Sequence, residues 1–120
     1  MKQGHEFLLT SVISGVNALH EAAYFVANEA KQVPAKRIVE LYNKWIYARK
    51  QLNSAAMLNS DAQDTKWFQA LSKVLNREAQ QWSDVIERTP AIIIRYASDG
   101  TMTSIRRQTQ KEIDKEKIDF

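Results

Sequence analysis

The chain has 120 residues, 44% of them hydrophobic, with 17 basic and 14 acidic side chains, a net charge of +3 and no cysteine. That length supplies one modest core and argues against two domains, and no apolar run approaches the roughly eighteen residues that a membrane helix needs. The lack of cysteine excludes disulfides, thiolate catalysis and sulfur-ligated metals, which fits a cytoplasmic protein.

The spacing of apolar residues predicts a first helix over about His5 to Lys31. At about 100° per residue, Leu8, Val12, Val16, Leu19, Ala23, Val26 and Ala30 fall on one stripe that faces a core. A narrower second stripe holds Phe7, Ser11, Ala18, Ala22 and Phe25, with Gly15 between the two. Small side chains in a row admit a close neighbour, and Gly15 costs about 1 kcal/mol against Ala in a helix interior. The first helix is therefore expected to be covered on two sides, as the central helix or across a self-association surface. Lys2 ahead of the apolar stretch from Phe7 to Val16 has the look of a secretory leader, but His5 and Glu6 interrupt it and the helical pattern runs on through Tyr24.

Gln32-Val33-Pro34 ends that helix, and Pro34 suits the first turn of the next. The second helix, about Ala35 to Leu58, places Ile38, Tyr42, Trp45, Ile46, Leu52 and Ala56 on one face with Arg49 in its middle. Residues 35–59 also carry five basic side chains against the single acidic Glu40, and Lys36, Lys44 and Lys50 surround Tyr47 on the outer arc. Ser60 with Gln63 reads as a capping box for a third helix, about Asp61 to Arg88. That helix turns Trp67, Phe68, Leu71, Val74, Leu75, Trp82, Val85 and Ile86 inward, with Glu78 in the middle of the face. Short connections favour an antiparallel up-down-up bundle. Inside it Tyr42, Arg49 and Glu78 are expected to form a buried polar network, because a buried charge must find a partner, with Arg49 laying its stem on Trp45 and reaching toward solvent. The alternative puts Arg49 and Glu78 in a pocket between the helices that binds a polar ligand.

At Thr89-Pro90 the period changes. Residues 91–97 and 101–106 flank Ser98-Asp99-Gly100, a hairpin signal over about residues 91–107. A two-residue Asp99-Gly100 turn would pair Tyr96 with Thr103, Ile94 with Ile105 and Ile92 with Arg107 on the face toward the bundle. Ile93, Arg95, Ala97, Met102, Ser104 and Arg106 would face away. Two strands alone are marginal in water, so the ribbon needs a helix, a copy of itself or a partner as cover. Residues 108–120 are charged and hold only Ile113, Ile118 and Phe120 to bury, as in a short helix or a disordered tail.

The inventory of reactive groups is short. His5-Glu6 and His20-Glu21 lack the second histidine of a zinc-protease signature, and no carboxylate cluster has ligand spacing. The only glycines are Gly4, Gly15 and Gly100, so no phosphate-cradling loop exists and no cofactor is expected. The fold class predicted is mainly α, an antiparallel three-helix bundle with a C-terminal β-hairpin and a short charged tail, all in one domain. The function expected is that of a small non-catalytic interaction module, an adaptor, inhibitor or assembly subunit, binding a protein or itself through the hairpin and the first helix. The rival is a nucleic-acid-binding accessory protein that uses Lys36, Lys44, Tyr47 and Lys50 with Arg95, Arg106 and Arg107, provided that the hairpin lies beside the second helix.

Overall fold

A computed structural model describes residues 2–28, 33–58, 62–89 and 91–108. They form three helices, α1 (Lys2–Ala27), α2 (Ala35–Leu58) and α3 (Ala62–Arg88), followed by strands β1 (Ile92–Tyr96) and β2 (Met102–Arg107). The mainly α fold with a C-terminal hairpin is as the sequence predicts. Ala30, the capping box at Ser60 and the tail at 109–120 lie outside the described residues. Among the described residues no helix is long and apolar enough to cross a membrane.

Contacts along the seams give the direction of each helix. Ser11 donates to Gln51, Gly15 lies against Ala48 and Glu21 faces Arg37, so α1 and α2 are antiparallel. His5 stacks on Trp67 at 4.2 Å and His20 meets Glu78 at 3.2 Å, so α1 and α3 are parallel. Trp45 Nε1 donates to the Leu75 carbonyl at 3.2 Å and Tyr42 meets Trp82 at 5.4 Å, which closes the up-down-up arrangement. The core holds Leu8, Val12, Leu19 and Val26 of α1, Leu41, Trp45 and Leu52 of α2, Phe68, Leu75 and Trp82 of α3, and Met102 and Ile105 of β2.

Helix α1 is the central helix, covered on one side by α2 and on the other by α3. Its small residues meet α2: an added Cβ on Gly15 would stand 2.7 Å from Ala48 Cβ and 3.2 Å from the Trp45 Cα, and Ala18 and Ala22 are buried. The small residues Gly15, Ala18 and Ala22 are thus buried within the bundle, with α1 as its central helix. Phe7, placed on that stripe by spacing, is instead 68% exposed. The described part of α1 ends at Ala27, and the expected end at Lys31 lies outside the described residues. Arg107 reaches over to donate to the Val26 carbonyl, near the end of α1, at 3.3 Å.

The hairpin departs from the expected register at two places that cancel. Ile92↔Arg107 and Ile94↔Ile105 pair as expected, but Tyr96 pairs with Met102 rather than Thr103, with an irregularity after Arg95. The loop is Ser98-Asp99-Gly100, closed by Ala97 N–H to Thr101 O at 2.8 Å and Gly100 N–H to Ala97 O at 3.0 Å. Gly100 has φ of 90°, a left-handed conformation that a side chain would strain. One more loop residue and one bulged residue, Thr103, restore the outer register and swing Met102 onto the bundle face, where it is 2% exposed. Strict alternation places Met102 on the outer face; the bulge is the reason that it is not there.

Asn43 holds the ribbon on α2. Its side-chain amide accepts from Met102 N–H at 2.7 Å and donates to Met102 C=O at 3.0 Å, serving one backbone donor and one acceptor of β2. Lys50 reaches Asp99 at 3.3 Å, so the ribbon lies along α2 and β2 runs opposite to it.

Candidate functional site

The expected network of Tyr42, Arg49 and Glu78 does not assemble. Arg49 is exposed, and its guanidinium carbon lies 5.4 Å from the centre of the Trp45 ring. The inward face of α2 is rotated from the one predicted, toward Leu41 and Ala48, which are both 1% exposed. Tyr42 is half-buried among the rings of Trp45, Trp82 and Tyr96. Burial, followed by the nearby Tyr96 hydroxyl, pushes the Tyr42 phenol up to about 12, against a smaller opposing pull from Arg49. Glu78 is buried as expected, 7% exposed, but it sits on the α1 side of α3 and meets His20 there. Val74, expected inward, is 45% exposed.

The basic residues singled out from sequence, Lys36, Lys44, Lys50, Arg95, Arg106 and Arg107, are all exposed, and so is Tyr47. The hairpin does lie beside α2, but part of the charge is used internally. Lys50 pairs with Asp99, Arg107 bonds the Val26 carbonyl, and Arg37 stands 3.7 Å from Glu21 and 4.0 Å from Glu40. The Asp99 carboxylate accepts from the Thr101 hydroxyl at 2.6 Å and from the Thr101 N–H at 3.0 Å. Those bonds, and then Lys50, hold its pKa down at about 2.

A different site comes from residues that sequence reasoning did not group. Between the start of α1 and the end of α2 lies an open groove of about 500 Å³, lined by Phe7, Leu8, Tyr47, Gln51, Ala55 and Leu58 among others. Phe7 is 68%, Tyr47 64% and Leu58 90% exposed, and Leu8, 6% exposed, joins the groove to the core. Large apolar side chains from two helices thus stand in water around one depression. The one signal in the sequence was the apolar excess of the first helix; nothing in the spacing placed Phe7 beside Tyr47 and Leu58, because that depends on the antiparallel alignment of α1 and α2.

His5 stacks on Trp67 with Phe68 edge-on beside it, and His20 meets Glu78 at 3.2 Å. Among the described residues no group of three or more His, Cys, Asp or Glu side chains is placed to hold a metal ion. No protein family matches the chain, and neither a curated protein nor a solved structure does.

Proposed function

We propose that this protein is a non-catalytic protein-interaction module, an adaptor, inhibitor or assembly subunit, that takes an apolar segment of another protein in the groove between α1 and α2. The observation that carries this reading is the exposure of Phe7, Tyr47 and Leu58 around one depression. Burying each such side chain is worth about 1.5 to 3 kcal/mol, enough together to support specific binding. A valley between two antiparallel helices fits the ridge of a third, so the occupant is an amphipathic helix. The excess of basic over acidic side chains in residues 35–59 favours acidic residues on its flank.

The test is a photo-crosslinking residue at Ser54, on the groove wall, introduced in the native cell. A single protein adduct is expected, lost when Phe7→Asp and Tyr47→Asp are combined in a chain that keeps its helical circular dichroism. The reading fails if Ser54 gives no adduct, or if the adduct survives the double substitution.

A second reading, binding of nucleic acid along α2 and the ribbon, has one observation in its favour: the hairpin lies beside α2, as that reading requires. Its binding would be mainly to phosphates and would weaken steeply with salt. Fluorescence anisotropy with labelled oligonucleotides at low salt decides it. No binding by the parent, or binding unaffected by charge reversal at Lys36, Lys44, Arg95 and Arg106, ends the reading.

A further inference from the structure

On the opposite side of α2 from the groove, α2 and α3 enclose a small cleft of about 100 Å³ lined by Arg49, Leu52, Asn53, Ser72, Leu75 and Asn76. Its floor is apolar and closed, Leu52 and Leu75 each being 1% exposed. Its walls are four hydrogen-bonding side chains, two from each helix, and no carboxylate. Among the described residues none of these four makes a hydrogen bond or an ion pair within the chain; Arg49, Asn53 and Asn76 are exposed and Ser72 is half-buried. Arg49 lies over the Trp45 ring, its guanidinium carbon 5.4 Å from the ring centre, and lines the cleft edge at an exposed position.

Four side chains that could have bonded to one another or to the helices, and do not, offer a guanidinium fork, two amide NH2 groups and a hydroxyl to one small volume. With a positive charge and no negative one, that set suits an anion with several acceptor oxygens. At about 30 Å³ per water the space holds roughly three waters, the bulk of a carboxylate or a phosphate group. We propose that the cleft between α2 and α3 is a binding site for a small oxyanion, a carboxylate or a phosphate, with Arg49 supplying the charge and Asn53, Asn76 and Ser72 the remaining donors. The two asparagine carbonyls stay free to accept from an N–H or O–H elsewhere on the same ligand. This site is separate from the apolar groove and does not depend on the function proposed there.

The test is a titration of the whole protein with sodium acetate and, separately, with inorganic phosphate, at constant ionic strength with chloride, followed by the NMR signals of the Asn53 and Asn76 side-chain amides and the Trp45 indole N–H. A ligand of four or five heavy atoms is bound weakly, so saturable shifts with a dissociation constant near 1 mM are expected for at least one of the two. Saturation by acetate alone assigns a carboxylate, and saturation by phosphate alone a phosphate group. Arg49→Gln, at an exposed position that leaves the fold intact by circular dichroism, should weaken binding at least about tenfold. Lys73→Gln, a neighbouring cation that does not line the cleft, should leave it unchanged. Shifts that rise without saturating, insensitivity to Arg49→Gln, or equal sensitivity to Lys73→Gln would each overturn the proposal.

Discussion

Gly15 shows how one residue sets the distance between two helices. Replacing it with Ala should gain about 1 kcal/mol of helix propensity, yet the new methyl would stand 2.7 Å from Ala48 Cβ and 3.3 Å from the Lys44 carbonyl oxygen. Two of its three nearest neighbours are backbone atoms, which cannot rotate away, so α1 and α2 must separate. Gly15→Ala is expected to lower the thermal midpoint, a net loss of about 1 to 3 kcal/mol; an unchanged or raised midpoint would mean that the helices stand further apart. Glu78 and His20 are unequal partners, with side chains 9% and 71% exposed. Removing the exposed member strips a buried carboxylate of its bond, so His20→Ala should cost about 1 to 3 kcal/mol. Glu78→Gln keeps an acceptor for His20 and removes the buried charge, and should cost less than about 1 kcal/mol. Urea denaturation of the two variants separates these outcomes, and a silent His20→Ala would show that water already serves Glu78.

At the scale of the element, the hairpin is stable because it is docked rather than because its strands pair. Met102 and Ile105 are buried against the bundle, Ile92 and Ile94 pack beside them, and Asn43 secures the backbone at the bulge. Asn43→Ala removes both amide bonds while leaving the apolar contacts, so the ribbon should loosen before the bundle does. Hydrogen exchange is expected to accelerate at the Met102 amide by about one order of magnitude or more, with a global loss of about 1 to 3 kcal/mol. If exchange at Met102 is unaltered, the apolar face alone holds the ribbon. The turn has its own acid limit. Asp99 has a depressed pKa, so its support is present above the ordinary carboxylate value of 3.8 and is lost as the pH falls toward about 2.

For the whole molecule, the aromatic cluster joins elements that are distant in sequence. Tyr42 of α2 touches Trp82 of α3 at 5.4 Å and Tyr96 of β1 at 5.7 Å, so one ring binds the bundle to the ribbon. Its phenol is raised from 10.0 to about 12, which means that the folded state favours the neutral form. The contribution is therefore fully present below pH 10 and is lost as the pH rises from there toward 12. Thermal midpoints measured across that window should fall, and Tyr42→Phe, which has no phenol to ionise, should flatten the fall. An equally steep decline in Tyr42→Phe would place the alkaline limit elsewhere.

Local periodicity was sufficient for the element order: three amphipathic stretches, a punctuating Pro34 and a switch from period 3.6 to period 2 near Thr89 each leave a mark within a few residues of sequence. It also gave the outer hairpin register and the close-packing role of Gly15. What the chain could not announce were the properties that depend on the angle at which one element meets another. A modest rotation of α2 brings Ala48 inward and moves Arg49 out, a bulge at Thr103 turns Met102 over, and a parallel α1 and α3 give Glu78 to His20 instead of Tyr42. The groove of Phe7, Tyr47 and Leu58 and the cleft of Arg49, Asn53, Ser72 and Asn76 belong to the same class. Each gathers side chains from two helices whose residues lie tens of positions apart, and only the packing of those helices decides which of them meet.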